Sequence, residues 1–176
     1  MEERTTVKSQ QYVTFCLDEE LFGVEVSLTR EILGLIPVTS VPQTPDYMLG
    51  VINLRGQVVP VVDMRLKLGM SKGKTTQDTC IIVIEVKVDD ETLVVGALAD
   101  AVREVLELNT DQIEPPPRLG GKLRTEYIRG MGKVDDQFMI LLDIDRVFSS
   151  DELALVQDMG EMSLPEKHKE EERVEG

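Results

Sequence analysis

Apolar and polar positions alternate over residues 12–17, putting Val13, Phe15 and Leu17 on one face. Asp18-Glu19-Glu20 turns this strand into a second one over residues 21–26. Ser27 is placed to cap one or two helical turns reaching about residue 33, and a stretch punctuated by Pro37, Pro42 and Pro45 follows. Residues 51–54 and 58–62 then read as two strands around a turn at Arg55-Gly56. Pro60 has no amide hydrogen, so its amide position should face a sheet edge or a bulge. Asp63 is placed to cap a short helix over residues 64–68 that Gly69 stops.

The second half follows a similar course. A polar loop over residues 71–78 precedes strands at 79–88 and 92–97, joined at Asp89-Asp90, and residues 102–108 are apolar with charges interleaved. Pro115-Pro116-Pro117 and Gly120-Gly121 mark a long loop. Residues 127–134 and 137–142 form another hairpin across Asp135-Asp136. Ser149 with Glu152 matches a capping box that opens a last helix to about residue 159. Residues 1–10 are polar and expected to fray. Residues 161–176, with six acidic and three basic side chains, are expected to form a tail without fixed structure.

An internal repeat organises these elements. Gly23, Arg30, Glu31 and Leu33 recur 73 positions later as Gly96, Arg103, Glu104 and Leu106. Tyr47, Gly50, Gln57 and Asp63 recur 80 positions later as Tyr127, Gly130, Gln137 and Asp143. The seven-residue difference falls in the segment holding the triple proline and double glycine, where an insertion costs little. Two copies of a small β unit follow, each with about five strands plus short helices, and strands this short usually close into barrels that remove their edges. The two barrels are expected to share one continuous core, because the apolar strands on either side of the 71–78 loop leave faces that need cover.

Composition supports a mainly β protein, with 22 valines against 4 alanines in 176 residues. The formal charge of −14 opposes binding to nucleic-acid phosphates and to anionic lipid heads. The longest uncharged run, 14 residues over 32–45, is too short and too proline-rich to span a bilayer. The start, Met1-Glu2-Glu3-Arg4, has no apolar segment behind it, which argues against a secretory signal and for the cytoplasm. Cys16 and Cys80 stand 64 positions apart, each in an apolar run, and read as buried reduced thiols.

Catalytic patterns are not apparent. His168 is the only histidine and lies in the tail, which leaves no nucleophile–base arrangement. Phosphate-loop, zinc and calcium spacings are missing, and Gly130-Met131-Gly132 opens no helix. Asp63 and Asp143 could present twin carboxylates for shared-proton chemistry in an enzyme or ligand-binding β-barrel. Each also follows a strand and precedes a short helix, where an aspartate is usually a cap. The hairpin turns of the two repeats differ: Asn53-Leu54-Arg55-Gly56 in the first, Lys133-Val134-Asp135-Asp136 in the second. The first is either a plain glycine-containing turn with an exposed arginine or a recognition loop, in which Arg55 offers five donors and a flat face beside Leu54.

At these residues the sequence resembles the CheW-type coupling proteins of bacterial chemotaxis. The resemblance rests on residues 11–15 (Q-Y-V-T-F), 30–33 (R-E-I-L) and 41–45 (V-P-Q-T-P), then on the long run G-V-I-N-L-R-G-Q-V-V-P-V-V-D over residues 50–63. Residues 114–116 (E-P-P) and 141–145 (L-L-D-I-D) complete it, so that residues 10–150 are covered. The resemblance implies one domain over residues 1–160, made of two small five-stranded SH3-like β-barrels that share a core. The barrels would occupy about residues 12–70 and 79–148, with strands open to exchange at the ends. It implies a non-catalytic scaffold that needs no cofactor and is monomeric when free. Such a scaffold couples the cytoplasmic tips of methyl-accepting chemoreceptors to the regulatory domain of the histidine kinase CheA, and is recruited to membrane receptor arrays through these partners. Receptor-binding residues carried over by motif are Glu31, Gly50, Asn53, Leu54, Arg55 and Gly56; no motif maps the kinase contact.

Overall fold

The computed structural model describes residues 9–88, 90–116 and 125–148. The expected last helix after Ser149, the tail with His168, the start of the chain and the Pro117–Gly121 part of the long loop lie outside them.

Runs rich in valine and isoleucine become eleven strands among the described residues, because branched side chains suit a pleated surface. In chain order these are β1 (Ser9–Leu17), β2 (Glu20–Glu25), β3 (Thr29–Gly34), β4 (Met48–Leu54), β5 (Gln57–Asp63) and β6 (Cys80–Val88). They continue with β7 (Glu91–Ala99), β8 (Ala101–Asn109), the two-residue β9 (Ile113–Glu114), β10 (Ile128–Val134) and β11 (Gln137–Leu142). One sheet has the order β8-β1-β2-β11-β10-β9 and the other β3-β6-β7-β5-β4. These are two SH3-like β-barrel subdomains, of six and five strands rather than five and five, the sixth being short β9.

The sheets do not divide the chain at its 71–78 loop. Each barrel takes the leading hairpin of one repeat and the remaining strands of the other, four in the six-stranded sheet and three in the five-stranded one. Hairpin β1-β2 pairs with β8 and β11, and hairpin β6-β7 pairs with β3 and β5. The two parallel junctions match: Leu141 lies opposite Gly23 as Val61 lies opposite Gly96. At both glycines the missing Cβ makes room for the neighbouring strand. A Cβ at Gly23 would stand 2.9 Å from Met139 Sδ, and one at Gly96 would stand 2.8 Å from Ile81 Cγ2.

Burial follows the strand alternation. Val59, Val61, Ile81 and Val83 fill one barrel, and Tyr12, Leu108, Met139 and Leu141 fill the other. The opposite faces of the same strands meet between the barrels in a third, larger cluster. It joins Val13, Phe15, Leu17 and Phe22 to Val62, Ile82, Ile84, Ile140 and Phe148. Strands β5, β6 and β11 are therefore apolar on both faces, which explains their unbroken hydrophobic runs. Lys67 Nζ adds a link between the repeats, 4.8 Å from the ring centre of Tyr47 and 5.4 Å from that of its counterpart Tyr127.

Three sequence readings need correction. Residues 29–34 form strand β3, not helical turns, because they alternate in burial and pair with β6 from Thr29 to Gly34. Ser27 sits within a short 3-10 turn, Val26–Leu28, and caps nothing. Asp63 does cap the helix Met64–Lys67, its carboxylate accepting from the Arg65 amide at 3.0 Å. Asp143 precedes the matching helix Ile144–Val147 without a side-chain cap bond, and its carboxylate lies 3.9 Å from Arg146 Nε. Both aspartates donate their backbone N–H to the tyrosine carbonyl of their own repeat. Pro60 lies in an internal strand but at a level where β5 is paired on one side only, as its missing amide hydrogen requires. It lies opposite Val51 in β4, one residue before the parallel pairing of β5 with β7 begins at Val61.

Candidate functional site

Strands β4 and β5 are joined by the two residues Arg55 and Gly56, with φ of 51° and 86°. Positive φ at both central positions defines the tight hairpin turn whose twist matches that of the strands. Gly56 meets this demand without a Cβ, whereas Arg55 occupies a left-handed conformation that its side chain disfavours. Asn53 fixes the turn, its Oδ1 accepting the Gly56 amide at 2.8 Å. Leu54 is half-buried and packs on the barrel cluster of Ile52, Val59 and Ile81.

The Arg55 guanidinium reaches Glu31 on β3 and pairs with its Oε2. Since β3 and β4 are the two edges of the five-stranded sheet, this ion pair bridges the mouth of the barrel. The Arg55 side chain remains 70% exposed and that of Glu31 28%, so most of the guanidinium donors face solvent. Glu31, Asn53, Leu54, Arg55 and Gly56 are thus gathered on one rim.

Gly50 lies elsewhere. It is buried, with φ of 150°, and a Cβ there would stand 2.1 Å from the Thr39 carbonyl oxygen. Its role is to let the proline-punctuated segment lie against β4, where Thr39 and Val51 exchange backbone hydrogen bonds of 2.8 and 2.9 Å. The repeat offered the signal for this: Gly130 is buried in the same way, with Ile113 Cγ2 at 2.6 Å from its Cβ position.

The other barrel has a matching mouth with different chemistry. Glu104 takes the place of Glu31, and Asp135-Asp136 that of Arg55-Gly56. The cleft there, about 370 Å³, is lined by Thr14, Leu21, Leu106 and Val134 beside those three carboxylates. Arg103 is directed to Cys16, its Nε donating to Sγ at 3.1 Å. Cys16 is accordingly half-buried rather than buried, whereas Cys80 is buried and its thiol is pushed up by that burial.

The Asp63 and Asp143 carboxylates have separate partners: Asp63 accepts the Arg65 amide, and Asp143 lies beside Arg146. Among the described residues no cluster of His, Cys, Asp or Glu has a metal-holding arrangement, and no helix is long and apolar enough to cross a membrane.

The charged cluster that the sequence reading missed is Arg65 with Asp100. Arg65 Nε lies 3.1 Å from both Asp100 carboxylate oxygens and Nη2 lies 2.6 Å from Oδ2. The same Oδ2 accepts the Asp18 amide at 2.6 Å. The partners are 35 residues apart and outside the repeated positions, so neither spacing nor repetition signalled them.

Comparison with known proteins adds an independent line. The family described as CheW-like domain matches residues 11–152. A protein of Klebsiella aerogenes named "Chemotaxis protein CheW" is 37% identical over 150 residues, 85% of this chain and 88% of that protein. A "Probable chemotaxis protein CheW" of Rhizobium etli is 36% identical over 143 residues, 81% of this chain and 90% of that protein. Among solved structures, the scaffolding protein TtCheW from Thermoanaerobacter tengcongensis is similar with a TM-score of 0.73 at 31% identity. That match covers 82% of this chain and 91% of that one.

Proposed function

The chain belongs to the CheW-like domain family, as a chemotaxis scaffold and not an enzyme, and from that premise we propose that it couples chemoreceptor tips to the histidine kinase CheA. The receptor tip, a helical hairpin on this reading, is held at the rim formed by Glu31, Asn53, Leu54, Arg55 and Gly56. The kinase is held by other surface, and the protein acts in the cytoplasm, monomeric when free and recruited to membrane arrays through its partners.

The observation that carries this reading is Arg55. A two-residue turn of this geometry favours Asn-Gly or Gly-Gly, so an arginine at φ 51° is disfavoured by the turn itself. Its side chain does not repair that cost by burial, since most of it lies in solvent. An exposed guanidinium held in direction by Glu31 and flanked by half-buried Leu54 is what a recognition hairpin needs: an oriented charge beside an apolar contact. Gly50 supports the rim from beneath by packing and makes no surface of its own.

Co-sedimentation with a soluble receptor-tip fragment and the kinase tests the proposal. Binding to both partners is expected, with loss of receptor binding alone when Arg55 is replaced. Failure to bind either partner, or equal loss of both on replacing Arg55, would overturn it.

A further inference from the structure

The chain passes between the two sheets at two places. One is the 3-10 turn Val26–Leu28, which joins β2 to β3; the other is Asp100, the single residue between β7 and β8. The first crossing is held from one barrel: Thr29 Oγ1 donates to the Glu25 carbonyl, Ser27 Oγ to the Glu25 carboxylate, and Arg129 of β10 pairs with that same carboxylate. Bonds at the second crossing come from both barrels. Asp100 donates its amide to the Cys16 carbonyl at 3.1 Å, while its carboxylate accepts from the Asp18 amide and from two nitrogens of Arg65. Cys16 and Asp18 belong to the β1-β2 hairpin of one barrel, and Arg65 to the helix that follows β5 of the other. One carboxylate therefore ties both barrels at the point where the backbone crosses between them.

Arg65 is held in turn by the exposed 71–78 loop. Its Nη1 donates to the Ser71 carbonyl at 3.2 Å, and a Cβ at Gly73 would stand 2.4 Å from its Cζ. The loop backbone lies flat on the guanidinium, leaving the side chain only 15% exposed. The geometry points to a conformational device: Arg65–Asp100 is a lock on the mutual orientation of the two barrels, with Asp100 as its hinge and the 71–78 loop as the element that keeps it closed. Breaking the bidentate pair widens the range of angles that the shared cluster allows while each sheet keeps its own ladder, and lifting the loop away has the same effect. Bidentate arginine–carboxylate pairing suits such a lock, because it fixes direction as well as distance.

The test measures that angle directly. Spin labels are attached to the full chain at Lys87→Cys in β6 and Lys133→Cys in β10, both exposed positions on different sheets, with Cys16→Ser to remove the accessible thiol. Double electron–electron resonance on the otherwise unaltered protein should give a single narrow distance peak. Arg65→Gln and Gly73→Ala should each broaden or shift it, with the far-ultraviolet circular dichroism of the β strands retained. The atoms nearest an added Cβ at Gly73 all belong to the Arg65 guanidinium, so Gly73→Ala keeps the test decisive if Arg65→Gln does not fold. An unchanged narrow peak in a folded variant overturns the lock, even where the variant is less stable, since Arg65 is then an ordinary stabilising contact.

Discussion

Replacing Arg55 by asparagine separates recognition from folding more cleanly than a charge reversal does. The variant loses the Glu31 pair, which is worth about 0.2–1 kcal/mol for groups this exposed once solvent screening is allowed for. It gains a residue that tolerates positive φ, and Asn-Gly is the favoured sequence for this two-residue turn, so relief of about 1 kcal/mol opposes the loss. The balance should leave stability within about 0.5 kcal/mol of the parent, a shift of roughly 1–2 °C in Tm for a chain of this length. Receptor binding should respond very differently. If Arg55 is an anchor of the interface, its removal costs about 2 kcal/mol or more, which is roughly thirtyfold in Kd. Isothermal titration with a soluble receptor-tip fragment measures the second quantity, and differential scanning calorimetry the first. Kinase binding, measured on the same sample, should not change. A folded Arg55→Asn protein that binds the tip as tightly as the parent refutes the role of the guanidinium. Parallel loss of kinase binding would instead show that the substitution disturbs the fold as a whole.

Because each barrel contains strands of both repeats around a common cluster, thermal unfolding should be one cooperative transition, and two separated transitions would count against the shared core. Gly50→Ala should destabilise by about 3 kcal/mol or more in urea titration, combining left-handed strain with displacement of the two Thr39–Val51 hydrogen bonds; a near-neutral result would show that the segment can yield. Burial pushes the Asp100 carboxyl up, but the Arg65 hydrogen bonds, the Asp18 amide and the Arg65 charge together hold it below the usual carboxylate range. A depressed folded pKa contributes stability that is present above the unfolded value of about 3.9 and is lost as pH falls through the lower folded value. Asp100→Asn should therefore flatten the dependence of unfolding free energy on pH below about pH 4, and an unaltered slope would contradict this.

Most of the strands were legible because their period was local. Tyr12 to Leu17 alternates, and residues 81–84 are apolar on both faces, so each announces a strand without reference to any partner. β3 was not legible, since Ser27 before a short apolar stretch satisfies the sequence pattern of a helix start; the pairing of Ile32 with Ile82 and Leu33 with Ile81 decides the outcome. Strand exchange was expected only at the ends of the barrels, whereas the whole leading hairpin of each repeat is exchanged. The repeat fixes which residues are equivalent but leaves open which copy supplies the neighbour, and both arrangements bury the same faces. Of the candidate site, the turn and its glycine could be read from Arg55-Gly56, and the family resemblance added Glu31. Their ion pair could not be read, as it depends on β3 and β4 being opposite edges of one curved sheet. Gly50 stands among the surface motif in sequence and below it in space.

The repeat also shows where functional difference resides. Both barrels use the same frame: a two-residue hairpin between paired strands, a glutamate on the strand at the opposite edge, and leucines or valines lining the mouth. Backbone positions are specified twice over by the parallel junctions and by the glycines at 23 and 96, so the frame tolerates little change. The turn residues are under no such constraint. In one mouth Arg55 neutralises Glu31 as an exposed ion pair; in the other Asp135 and Asp136 join Glu104, and with Arg103 also lining the cleft a net acidic rim remains. Two turn residues thus give related mouths different electrostatic character, one neutral and one acidic, on a single scaffold. Surfaces of different charge are then presented at separate ends without any change in the core, and their relative placement rests on the shared cluster together with the residues at the crossing between the sheets.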